Sequence, residues 1–266
     1  LAYHVTSLVL HIIVVALVFL LSKKILSNVK LAALAALLFA FISGYSETIF
    51  WISSIGHIVS SLFVLMSLFF FIQWQEKKHI WYFVTTLVSV ASSLLFHELG
   101  VVAPLLMLLY VWNEGSFVRK LKAHKLLYSL LFSPVVFYLI VRYFANTHWS
   151  GGDYSYNLIK LPFNIIGNFL GYVMLSLLGP LSLPIYEKLR DYSRENLLVA
   201  FIASVVLAGV VVMLYRVFRN LEKIDKKLII FAIGFMAISL LPFLGLGNIT
   251  SRYDYTDPVI RNIWRD

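Results

Sequence analysis

Ser43-Gly44-Tyr45-Ser46-Glu47-Thr48-Ile49-Phe50-Trp51-Ile52-Ser53-Ser54 lies between two apolar runs that each read as a membrane crossing. The stretch holds a single carboxylate, Glu47, flanked by hydroxyl and aromatic side chains and with no basic residue near it. A polar turn between two such runs decides the fold. The backbone enters and leaves lipid as helices, and a charge kept at the boundary points to a function.

The rest of the composition agrees. Of the 266 residues, 61% are hydrophobic and 13% charged, with a mean hydropathy of +0.87. A soluble domain is roughly half apolar and a quarter charged. The apolar residues collect in runs of roughly 17–22, the length a helix needs to cross the hydrocarbon core. The expected fold is an all-α polytopic transmembrane helical bundle of about eight spans, with an interfacial or re-entrant segment in a large external loop. A barrel would show alternation, and none is present.

The formal net charge is +9. The basic residues stand in short loops between apolar runs, which makes them a topology signal and argues against a nucleic-acid partner. With no cysteine, the chain has no disulfide, thiolate nucleophile or thiolate metal site. Leu1 already stands inside an apolar segment, without an initiator Met, basic leader or cleavage site, so a fragment whose upstream helix precedes Leu1 is expected.

Residues 1–143 read as the first part of the bundle, about six spans. His4 to Leu21 leads into a loop with Lys23, Lys24 and Lys30, cytoplasmic by its charge. Leu31 to Ile42, with its Ala/Leu pattern suited to close helix approach, carries the Glu47 turn to the opposite face. Ile55 to Ile72 crosses inward, with Trp74 and Trp81 as interfacial anchors. Ile80 to Phe96 goes outward, the turn His97-Glu98-Leu99-Gly100 follows, and Val101 to Trp112 returns to a loop bearing Arg119, Lys120, Lys122 and Lys125. Leu126 to Tyr143 goes outward again, with Pro134 expected to kink it.

Residues 144–196 read as the external loop, which opens on the polar, turn-rich stretch Asn146 to Asn157. Within it, Leu161 to Leu183 is apolar but interrupted by Pro162, Asn164, Gly167, Asn168, Gly171, Gly179 and Pro180. If that segment crossed the membrane, Leu197 to Tyr215 would have to run outward. Arg216, Arg219, Lys223, Lys226 and Lys227 would then stand outside, against the charge rule. An interfacial or re-entrant segment is therefore expected there. Residues 197–266 supply the last spans, Leu197 to Tyr215 and Leu228 to Leu246, and an external tail.

This topology brings His4, Glu47, His57, His97, Glu98 and Arg252 to one face. Glu47 reads either as a general base or cation ligand, partly desolvated by Tyr45, Phe50 and Trp51, or as a solvated loop carboxylate. His4 and His11, seven residues apart, share a helix face expected to point into the bundle. That spacing suits helix-packing hydrogen bonds better than a shared metal ion. His57 reads likewise as an interior histidine. His97-Glu98 is either an ionisable pair able to contact a phosphate or a capped helix junction. Arg252, with Tyr253 or Tyr255 beside it, is either a phosphate clamp or a solvated terminal residue. No metal site is expected, although a divalent ion at Glu47 stays open. A phosphate-cradling glycine loop, a Walker lysine and a paired-histidine helix motif are all lacking, which argues against ATP-driven transport by this chain alone.

Taken in order, His4-Val5-Thr6-Ser7-Leu8-Val9-Leu10-His11, Glu47-Thr48-Ile49-Phe50-Trp51-Ile52-Ser53, His97-Glu98 before Val101-Val102-Ala103-Pro104, Leu240-Leu241-Pro242 and Arg252-Tyr253-Asp254-Tyr255 resemble the C-type membrane glycosyltransferases. The branch is the one similar to the transmembrane and tetratricopeptide-repeat O-mannosyltransferases and their bacterial relatives. The chain departs from that pattern at Ser43-Gly44, at His57 and at His97, where the family often has His-Pro, a basic-acidic pair and Lys.

The resemblance implies a sugar on a polyprenyl phosphate that enters from the bilayer, and a protein or glycan acceptor whose hydroxyl attacks the anomeric carbon. A carboxylate, Glu47 or Glu98, assists as base. Arg252, Tyr253, His97, His57 and His4 become the candidates around the donor phosphate. The principal catalytic acid of such enzymes would precede Leu1, and the expected setting is a bacterial plasma membrane with the site on its external face. A polytopic transporter and a non-catalytic scaffold are the rival readings, the first weakened by the lack of a repeated broken helix.

Overall fold

The computed structural model describes residues 2–41, 54–115, 117–145, 161–179 and 182–245. Among the described residues every regular element is helical. The chain divides into two units. One comprises residues 1–149 with 231–242, the other residues 150–230 with 243–266.

The first unit begins with α1 (Ala2–Leu26) and α2 (Val29–Phe41). Ser27 turns the chain at φ 52°, and the Asn28 side chain accepts the backbone N–H groups of Lys30 and Leu31 at 2.9 and 3.2 Å, which starts α2. Ala32 and Ala36, one turn apart, are buried, so the small face of α2 is its packed face. In lipid, where apolar burial between helices gains little, such close approach drives helix pairing.

Helices α3 (Ile55–Lys77) and α4 (Ile80–Phe96) follow as an antiparallel pair. Lys78 ends α3 in the left-handed conformation, φ 57°, and donates its N–H to the Trp74 carbonyl at 2.9 Å; His79 then caps α4 by accepting from Trp81 N–H. A short 3-10 helix (Glu98–Val102) joins α4 to α5 (Ala103–Glu114), and α6 (Phe117–Ala123), α7 (Lys125–Leu130) and α8 (Ser133–Phe144) complete this part. Leu68, Phe71 and Ile72 of α3 and Leu106 and Met107 of α5 are among its most fully buried side chains. The Trp74 indole is stacked obliquely or edge-on among Phe71, Phe83 and Tyr128. Pro134 stands in the first turn of α8, where it needs no backbone donor, so the expected kink is realised as a break between α7 and α8.

In the second unit are α9 (Leu161–Leu178), α10 (Leu183–Glu195) and α11 (Leu197–Asn220). The last helix, α12 (Lys223–Leu244), contributes its residues 231–242 to the first unit. Contrary to the interruptions expected between Leu161 and Leu183, α9 is one uninterrupted helix. Pro162 falls in its first turn, and the glycines and asparagines keep the backbone ladder. No described side chain of α11 is buried, as befits an apolar helix facing lipid.

Among the described residues six helical segments are long and apolar enough to cross a membrane: Ala2–Leu26, Ile55–Lys77, Lys125–Phe144, Leu161–Leu178, Leu198–Asn220 and Lys226–Leu244. Val29–Phe41 and Ile80–Phe96 are apolar but shorter. The expected return span at Val101 to Trp112 is largely taken by α5, whose 12 residues reach only ~18 Å of the ~30 Å core.

Candidate functional site

Polar side chains converge where α3 begins and α4 ends. The two helices come close there because the contact residues are small. A Cβ on Gly56 would stand 3.1 Å from the Phe96 carbonyl, and Ser60 Oγ donates to the Ser93 carbonyl at 3.0 Å. Gly100 is tighter still, since a Cβ there would lie 2.9 Å from the Leu94 backbone nitrogen and 2.3 Å from Ser93 Oγ. These contacts fold the turn after α4 back onto the helix end.

His97 is the hinge of that turn. Its N–H donates to Ser93 O at 3.0 Å, its carbonyl accepts from Gly100 N–H at 3.2 Å, and its Nδ1 accepts from Leu99 N–H at 3.2 Å. Nδ1 therefore carries a lone pair, not a proton. The His57 ring of α3 lies with its centroid 4.0 Å from that of His97, at an interplanar angle of 40°. Burial, then the neighbouring His57, holds the His97 pKa down to about 4 against the smaller opposing pull of Glu98. His97 thus caps the short helix that follows, which is the capped-junction reading of His97-Glu98.

The cation at this turn is Arg142, one helical turn from the end of α8. It forms an ion pair with Glu98 through Nη1, donates to Tyr138 OH at 2.8 Å and stands 5.9 Å from the Tyr138 ring centroid. The two charged side chains are 27% and 30% exposed, so the pair is largely withdrawn from solvent. Its place in the last turn of α8 suits the helix dipole. Val136, Leu139, Ile140, Tyr143 and Phe144 form an open, wholly apolar strip along α8, and at ~100° per residue this strip is turned well away from Tyr138 and Arg142. A guanidinium and a carboxylate paired at a helix end fit a ligand with a charged head group.

Of the residues singled out in the sequence, His57, His97 and Glu98 come together here. His4 does not join them; it is exposed on α1, whereas His11 is buried, stacks on Phe39 at 5.9 Å and has Nε2 3.5 Å from the Ala40 carbonyl. The inward face expected for both histidines holds for His11 alone. His4 lies two turns, ~10 Å, beyond the point where α1 meets the last described residues of α2. Glu47, Arg252 and Tyr253 lie outside the described residues. Among the described residues no three His, Cys, Asp or Glu side chains are grouped to hold a metal ion.

Arg142 and Tyr138 escaped the sequence reading because they sit inside an apolar run. The available signal was a lone Arg near the C-terminal end of that run. A second cluster was missed in the other unit. Asn168 of α9, fully buried, donates Nδ2 to the Phe243 and Leu244 carbonyls at 3.3 and 3.0 Å and accepts from Arg190 of α10 at 2.9 Å. Asn164 Oδ1, one turn earlier and also buried, lies 3.5 Å from Arg190, and Tyr186 OH donates to the Gly167 carbonyl. Asn168 thereby adds a donor to the last carbonyls of α12, of which that of Phe243 also accepts from Gly245 N–H.

No family model, curated protein or solved structure matches the chain. Fold and composition define its class as a helical, multi-pass integral membrane protein. What it does must be read from the turn after α4 and its surroundings.

Proposed function

We propose that the chain is the membrane part of a glycosyltransferase that takes a sugar from a polyprenyl-phosphate donor and passes it to a hydroxyl of a protein or glycan acceptor. The observation that carries this reading is the partly buried Glu98–Arg142 pair at the helix end where α4 turns toward α5. In the reaction, the acceptor oxygen forms a bond to the anomeric carbon as the bond from that carbon to the phosphate oxygen breaks. The hydroxyl proton passes to a carboxylate, and the phosphate leaves with the electron pair. Arg142 is the group that meets the growing negative charge, the role the resemblance lent to His97. Its planar fork exchanges the Glu98 carboxylate for the donor phosphate, which releases Glu98 toward the acceptor.

The same reading puts this turn on the non-cytoplasmic face of a bacterial plasma membrane, supported by the basic residues gathered at the opposite helix ends. It also keeps α9 and α10 in the interface. Asn168, near the middle of α9, contacts the very end of α12, and α10 exposes Ile185, Leu189 and Tyr192 along one side.

The test is transfer of labelled sugar from a polyprenyl-phosphate donor in membranes carrying the complete protein. Glu98→Gln and Arg142→Ala should each lower transfer tenfold or more at unchanged membrane levels, the ~2–4 kcal/mol of a transition-state charge contact. Full activity in both variants would remove the site. Release of unmodified labelled substrate across vesicles, without transfer, would establish a transporter instead.

A further inference from the structure

The far end of the first unit carries a surface that the transfer reaction does not use. Three connections meet there: the one between α1 and α2, the one between α3 and α4, and the run from α5 through α6 to α7. Lys24 of α1 pairs with Glu76 of α3 at 2.6 Å, Gln75 of α3 donates to Tyr128 of α7 at 2.9 Å, and Lys120 of α6 pairs with Glu114 of α5 at 3.2 Å. Residues 22–30, 73–79 and 113–125 hold nine Lys and Arg against two carboxylates, and both carboxylates are already in those pairs. The surplus positive charge is concentrated rather than dispersed. Lys78 has its pKa depressed by burial and then by Lys120, so two ammonium groups face each other with a single carboxylate, Glu114, to offset them.

Apolar side chains are set among these charges. Ile80 and Trp81 are 56% and 67% exposed next to Lys77 and Lys78, and Val118 and Leu126 are 62% and 69% exposed beside Arg119 and Lys125. Lys77 and Lys78 each hold their ammonium 5.3 Å from an aromatic centroid, Tyr82 and Trp74. A soluble polyanion such as a nucleic acid would pair with the lysines and leave the tryptophan and the aliphatic side chains in water. A bilayer surface satisfies both, with headgroup phosphates at the cations and the apolar groups at the acyl boundary.

We propose that this end of the protein binds the headgroups of anionic phospholipids, with Lys78, Arg119 and Lys122 as phosphate ligands and Trp81 setting the depth. The experiment uses the whole chain in nanodiscs of zwitterionic lipid doped with cardiolipin or phosphatidylglycerol. Retained lipid is counted by native mass spectrometry after extraction. Wild type should retain anionic lipid in preference to zwitterionic lipid, and the combined Lys78→Gln, Arg119→Gln and Lys122→Gln variant should lose that preference by roughly tenfold or more. Combined Lys78→Arg, Arg119→Lys and Lys122→Arg replacement should keep it, which separates lost charge from lost fold. Equal retention by wild type and the glutamine variant would overturn the proposal. So would loss of the preference in the charge-keeping variant, or competition for the same residues by a short RNA at lower concentration than by anionic vesicles.

Discussion

His97 shows how a side chain open to two readings by its type is understood from its bonds. As a cation it would need its proton on Nδ1, yet that atom accepts from Leu99 N–H, and His57 is stacked against the ring. Its folded pKa of about 4 lies below the ordinary 6.5. Between those values only the unfolded chain takes the proton, so the contribution of His97 to stability is complete above about pH 6.5 and is lost as the pH falls toward 4. Melting temperatures in detergent should fall across that window, and less steeply in His97→Asn, which retains a capping oxygen. Parallel curves for the two proteins would exclude His97 as the titrating group. Gly100 makes a second demand at this scale. In Gly100→Ala the new methyl meets the Leu94 backbone, which cannot yield, and the buried Ser93 hydroxyl, which is bonded to the Val90 carbonyl at 2.7 Å. A loss of about 1–3 kcal/mol is expected in reversible unfolding, together with disturbance of the Glu98–Arg142 geometry.

Among the elements, α9 and α10 depend most on polar contacts. Asn168 joins three pieces of chain by accepting from Arg190 and donating to the last carbonyls of α12. Asn168→Ala removes all three bonds and takes this donor from both carbonyls, at a cost of about 1–3 kcal/mol. Limited proteolysis should then cut within α10 sooner than in wild type, and unchanged cleavage would show that the cluster does not hold the helix. The placement of α9 can be measured because the native chain has no cysteine, which makes any introduced thiol a unique label. If α9 lies in the interface, Asn146→Cys and Ser193→Cys react with an impermeant maleimide from the same side of sealed vesicles. Labelling from opposite sides would mean that α9 crosses, and the basic residues after α11 would then stand on the outer face.

For the whole molecule, length, hydropathy and the spacing of apolar runs were enough to establish a multi-pass helical membrane protein, because lipid leaves the backbone no other way to satisfy its hydrogen bonds. The caps are intelligible only once seen: Asn28, His79 and Asn196 begin helices by accepting free N–H groups of the first turn, and none is singled out by the sequence alone. His57, His97 and Glu98 could be named from the sequence as ionisable groups at membrane-boundary level, but their company could not. Whether His97 is a cation depends on which ring packs against it, and the partner of Glu98 is 44 residues away, inside a run whose period says only that it is apolar. In the same way, Asn164 and Asn168 looked like breaks in a helix until Arg190 and the end of α12 supplied their partners. Residue type and period therefore determined the class of the protein and the approximate course of its apolar helices. Tertiary packing alone decided which charges pair, because an ion pair or a buried amide bond is a relation between distant elements that no local pattern encodes.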